Sequence, residues 1–104
     1  MLYVDRPAWP ARGRLWSHLI SDVSFAELHA FAEMLGTPRR AFDRDHVDLP
    51  AELYPVAVWL GARTATSREI VTRLVGAGLR RRHPRRAALP HRAGAGGAVN
   101  RRRR

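Results

Sequence analysis

The chain has 104 residues, which suits one small domain plus an appendage, and its 45% apolar composition allows a real but small core. It has no cysteine, which excludes disulfides, thiolate metal ligands and cysteine nucleophiles. The net charge of +10 suggests a nucleic-acid binder, but residues 80–104 carry ten arginines and no acid, and residues 1–79 balance nine arginines against nine acids.

Leu2-Tyr3-Val4 forms a short strand that ends at Asp5, and residues 6–14, with Pro7, Pro10 and Gly13, form a loop. An acid and a proline stand where a secretory leader needs an apolar run. No apolar run reaches the roughly 20 residues of a membrane helix, so the expected location is the cytoplasm, with no membrane partner.

In Leu15-Trp16-Ser17-His18-Leu19-Ile20-Ser21-Asp22 the apolar positions fit a helix as well as a strand. A helix there would leave only Val23 before the next cap at Ser24, which favours a strand running into a turn. Trp16, His18, Ile20 and Asp22 then share one face, with Asp22 at the carboxyl end. Four strand residues span about 13 Å, so His18 and Asp22 make separate contributions to a pocket rather than one chelate.

Ser24-Phe25-Ala26-Glu27 reads as a capping box, with Val23 and Leu28 as its hydrophobic staple. Phe25, Leu28, Phe31, Ala32 and Leu35 give one apolar face, Gly36 and Pro38 follow, and a helix is expected over 24–35. On it, His29 and Glu33 form an exposed pair four residues apart. A strand lies somewhere within residues 41–49, "AFDRDHVDL". A second helix covers about 50–60, its first turn disturbed by Pro55, with Trp59 in the core. Residues 62–65 suit a short strand. Thr66-Ser67-Arg68-Glu69 is a second capping box, opening a helix whose core face is Ile70, Val71, Leu74 and Val75 and which Gly76 and Gly78 end. Strands alternating with helices predict a small α/β domain over residues 1–80, a short sheet with about three helices. Residues 81–104 are expected to be a disordered Arg-rich tail, because large aliphatics are nearly absent there. Such a tail can bind polyphosphate surfaces without sequence preference or be a solvated extension with no role of its own, and any nucleic acid is expected only through it.

The strings "YVD" at 3–5, "GRLWSHLISD" at 13–22, "ELHAFAEMLG" at 27–36, "PRRAF" at 38–42, "DHVDLP" at 45–50 and "SREIVTRL" at 67–74 resemble a small bacterial family, domain of unknown function 4031. The resemblance covers about residues 1–80 and leaves the tail unmatched. It implies recurring polar positions at Asp5, His18, Asp22, His29, Arg40, His46 and Asp48, and it implies no activity.

Asp5 and Asp22 end strands, and open α/β sheets bind ligands beyond the carboxyl ends of their strands. His46 and Asp48 are two apart, hence on one face of a strand. Carboxylates with imidazoles suit either a divalent ion or a general acid–base pair. The candidate catalytic residues are therefore His18, His46 and Asp22, and the candidate ligand-binding residues are Asp5, Arg40 and Asp48. Arg39 and Arg40 follow a helix end, where they can clamp an anion or pair with Asp43 and Asp45. Trp9 and Trp16 bracket Arg12 and Arg14, a pattern that suits base stacking or pinning of a loop to the core. No tight chelating spacing such as His-Glu-x-x-His occurs, so metal and cofactor stay open. Two functions fit: a hydrolase acting on a phosphorylated or nucleotide-like anionic small molecule, or a noncatalytic module that binds RNA or protein.

Overall fold

The computed structural model describes residues 1–81 and builds them into a six-stranded mixed sheet with three α-helices, the α/β class that the alternation of elements implies. The strands are β1 (Leu2–Val4), β2 (Trp9–Ala11), β3 (Arg14–Ser21), β4 (Phe42–Asp43), β5 (His46–Pro50) and β6 (Arg63–Thr64). The helices are α1 (Phe25–Met34), α2 (Tyr54–Trp59) and α3 (Ser67–Gly76). No helix of the described residues is long and apolar enough to cross a membrane. The expected disordered tail falls, apart from Arg81, outside the described residues.

β3 is the hub. β5 runs antiparallel along one edge, with Trp16 opposite Pro50 and Leu19 opposite Val47. The other edge is shared in tandem: β1 pairs with the second half of β3 and β2 with the first. β6 adds to β1 in parallel and β4 closes the far side on β5. β5 on one edge and β2 and β1 on the other pair with β3 from Arg14 to Ser21, so the strand reading of that segment holds.

Alternation along β3 sorts its side chains between two layers. Leu19 joins Val4, Val47 and Leu49 under α1, where Leu28, Phe31, Ala32 and Leu35 descend onto the sheet. Ile20 and Tyr3 face the other way, against Ile70 and Leu74 of α3. Each fully buried aliphatic contributes on the order of 2 kcal/mol. α3 covers only the Tyr3–Ile20 end of its face. His18, His46 and Asp48 lie on that same face, beyond the helix.

Several expectations change. The loop over 6–14 contains β2, which turns into β3 through Arg12 (φ 49°) and Gly13 (φ 76°). Two consecutive positive φ angles are what a tight two-residue hairpin requires, and Pro10 is tolerated because β2 has no partner on its outer edge among the described residues. Residues 41–49 form a hairpin rather than one strand, with Arg44 at φ 59° between β4 and β5. The second helix begins as a 3-10 turn, Ala51–Leu53, and Pro55 stands in the first turn of α2, where a missing N–H is harmless. Trp59, expected in the core, is 83% exposed. Ala57 is the residue that α2 buries, and a position two residues on points about 200° away. Val71 and Val75 are likewise exposed, because Ile70 and Leu74 alone form the buried stripe of α3. Val23 is exposed too, so the staple beside Ser24 buries little.

Candidate functional site

The tandem arrangement of β1 and β2 leaves residues 5–8 to cross the middle of β3, and this puts Asp5 opposite His18. Asp5 is 3% exposed. Its Oδ1 accepts from the His18 backbone N–H at 2.6 Å, and its Oδ2 contacts His18 Nδ1 at 2.9 Å. Ser67, the first residue of α3, donates its hydroxyl to the same Oδ2 at 2.9 Å. Burial disfavours the charged carboxylate, but the hydrogen bonds from the His18 ring, the His18 backbone and Ser67 outweigh it, so the Asp5 pKa lies below the ordinary value. An ionised carboxylate only accepts, so Nδ1 of His18 donates to Asp5.

A second pair repeats this arrangement from β5. Asp45, 2% exposed, contacts His46 Nδ1 at 2.9 Å. Asp45 Oδ2 accepts from the Arg81 N–H at 3.0 Å and lies 3.7 Å from the Arg80 guanidinium. The two imidazoles meet edge to face with centroids 5.0 Å apart. Asp48, which the register sets directly across from His18, places Oδ1 3.1 Å from His46 Nε2. Burial alone would lower the His46 pKa; the hydrogen bonds to Asp48 and Asp45 win and raise it. The same bond from His46 holds Asp48 below the ordinary carboxylate value, against the effect of burial.

One donor atom from each of His18, His46 and Asp48 lies within 4.8 Å of the others. Two imidazoles and a carboxylate are a donor set for zinc and neighbouring transition metals, and carboxylates on the far ring nitrogens are the usual outer shell of such sites. Tetrahedral ligands about 2.1 Å from an ion sit about 3.4 Å apart, so binding would draw the donors inward by roughly 1 Å. Rotation of the half-exposed Asp48 side chain accommodates that.

The cluster lines a pocket of about 350 Å³. Trp9 forms one wall, its ring edge-on to His18 with centroids 4.7 Å apart. Ile70 and Leu74 of α3 also line the pocket, and Arg12, Arg44 and Arg80 supply positive charge beside Asp43.

Of the residues singled out in the sequence, Asp5, His18, His46 and Asp48 converge here. Asp22 does not: it stands past the other end of β3, 3.2 Å from the N-terminal ammonium and 3.9 Å from Arg73. Arg40 lies in a neighbouring groove with Arg12, Arg14 and Asp48. Asp43 pairs with Arg44 and Asp45 with His46 and Arg80, so Arg39 and Arg40 take neither acid. His29 packs on Phe42 with ring centroids 4.6 Å apart, and no ion pair joins it to Glu33 among the described residues. Sequence reasoning missed Asp45, Ser67, Arg44 and Arg80. For Asp45 a signal existed, since it directly precedes His46; Ser67 was read only as part of a cap.

Residues 2–77 match the model of a family described as protein of unknown function (DUF4031). No curated protein and no solved structure matches the chain.

Proposed function

The chain belongs to the family described as protein of unknown function (DUF4031), and we propose that its pocket binds one divalent metal ion and hydrolyses a phosphoester of a nucleotide-like ligand. The observation that carries this reading is the convergence of His18, His46 and Asp48, with each imidazole held on its far nitrogen by a buried carboxylate. His18 Nε2, His46 Nε2 and an Asp48 oxygen would hold the ion. When bound, it supplies Lewis acidity and a water acidic enough to attack near neutral pH. Asp5 and Asp45 fix the ring orientations, so little reorganisation is left for the moment of binding.

Arg12, Arg44 and Arg80 offset the charge of an incoming phosphoryl group, and guanidinium forks suit its oxygens. Trp9 and the aliphatic wall of α3 offer an apolar flank for the rest of the ligand. In the step, water oxygen bonds phosphorus and the ester P–O bond breaks. One water proton stays on the new phosphate hydroxyl and the other goes to the leaving oxygen.

The test uses the full chain, stripped with a chelator and reloaded with one equivalent of Zn²⁺, Mn²⁺ or Co²⁺, with bis(p-nitrophenyl) phosphate as probe. Turnover should require the ion and fall at least 100-fold in His18→Gln and His46→Gln, as loss of a ligand outweighs the roughly 10- to 100-fold cost of losing its outer partner. Turnover without metal, or unchanged in both variants, would refute the reading. The second reading, a noncatalytic RNA-binding module, is favoured by one observation: Arg12 and Arg14 stack on Trp16 beside the exposed Trp9. Binding of an oligonucleotide with no turnover under any of the three ions would select it.

A further inference from the structure

The electrical neutrality of residues 1–79 conceals an uneven distribution. A second groove, of about 510 Å³, adjoins the pocket and shares Arg12, Trp16 and Asp48 with it. Arg14 and Arg40 also line that groove. Both grooves thus carry arginines, Arg44 and Arg80 in the pocket, Arg14 and Arg40 in its neighbour and Arg12 in both, and Asp48 of the His18–His46–Asp48 cluster is also shared. Arg14 spends part of its charge on Glu52 at 3.6 Å. Arg12 and Arg40 have no ion-pair partner among the described residues; Arg12 instead stacks on Trp16 at 4.7 Å. A single phosphate in the pocket leaves Arg14 and Arg40 without a role.

Resting on the hydrolase reading above, we infer that the ligand is a single-stranded nucleic acid laid along both grooves, with the scissile phosphate at the cluster, a flanking phosphate between Arg12 and Arg40, and a base on Trp9. Trp9 is 53% exposed at the pocket mouth, which gives a base a free aromatic surface. Trp16 is less available, because two guanidiniums already lie over its ring. The strand has to be unpaired. His18 and His46 are largely buried at the pocket floor, walled by the β2–β3 hairpin and α3, and a phosphate reaches them only when its bases are free to splay apart.

The arginines from Arg82 onward would bind any polyanion, so the test must locate the strand on the folded body and not merely detect binding. A ten-nucleotide single strand carrying 5-iodouracil is irradiated with the full chain in chelator, and adducts are mapped by mass spectrometry. The expected adduct is on Trp9, lost in Trp9→Leu and competed by unlabelled single strand but not by duplex. In parallel, Arg40→Ala should weaken binding about threefold to tenfold and flatten the slope of log K against log salt by about 0.7, the contribution of one phosphate contact in a single strand. Adducts confined to residues 82–104, or a salt slope unchanged in Arg40→Ala, would overturn the inference. Cation uptake, followed separately by equilibrium dialysis, keeps the two proposals apart. Uptake without a Trp9 adduct removes the nucleic-acid strand and leaves the metal; a Trp9 adduct without uptake supports the strand and removes the hydrolase reading.

Discussion

Asp5 is held by three hydrogen bonds, two of them from His18, and each contact has a distinct job. The backbone bond pins the crossing segment to β3, the ring bond sets the imidazole tautomer, and the Ser67 bond ties α3 to the same carboxylate. Asp5→Asn would present one N–H₂ group to donors in a buried site. It should therefore destabilise the fold by about 1–3 kcal/mol, measured by urea unfolding. It should also weaken metal affinity roughly 10- to 100-fold by releasing the His18 ring. Equal loss of stability with metal affinity intact would show that His18 is oriented by something other than Asp5. His18, His46, Asp5 and Asp48 were legible because each sits at a strand end or on one strand face. Asp22 obeyed the same rule and still fell outside, because the site forms at His18 within β3 and four strand residues carry Asp22 about 13 Å from it. Asp45 carried one signal, its place directly before His46, but its aim toward Nδ1 depends on the turn at Arg44, and the positive φ there left no mark in residue type.

Among the elements, α1 and α3 were readable from their caps. Thr66 and Glu69 form a complete reciprocal box, whereas at α1 only half of it forms. There the Ser24 hydroxyl accepts from the Glu27 N–H at 3.0 Å, but the Ser24 N–H donates to Ser21 Oγ, and Glu27 turns to the Ser21 hydroxyl instead. Ser24→Ala removes one cap bond and should cost about 1 kcal/mol in thermal or urea unfolding while leaving metal binding unchanged. A change within error would mean that Ser21 alone satisfies the start of the helix. The second hairpin escaped because its turn uses Arg44 at positive φ, where Asn or Gly would have signalled it, and the first because Gly13 follows Arg12 rather than the usual Asn or Asp. Composition read residues 6–14 as a loop because Pro7 and Pro10 argue against a strand with partners on both edges, and an outer strand tolerates them.

At the scale of the whole molecule, the site is a product of sheet register. His18 comes from one strand and His46 with Asp48 from the next, and no local spacing announces a chelate; pairing His18 with Asp48 across the sheet creates it. The fold class followed from strand–helix alternation, but the strand order β4-β5-β3-β1-β6, with β2 beside β3, depends on long-range pairing that periodicity does not encode. The exposure of Trp59 has the same origin: an apolar residue on a helix of six residues goes where the buried neighbour, Ala57, leaves it. The central claim, that the three donors form one metal site, is tested most directly by titrating the chelator-stripped full chain with Co²⁺ and following the visible d–d absorption. Bands should saturate at one equivalent and vanish in His18→Gln, His46→Gln and Asp48→Asn alike. Absorption that rises without saturation, or that survives all three substitutions, would contradict that claim.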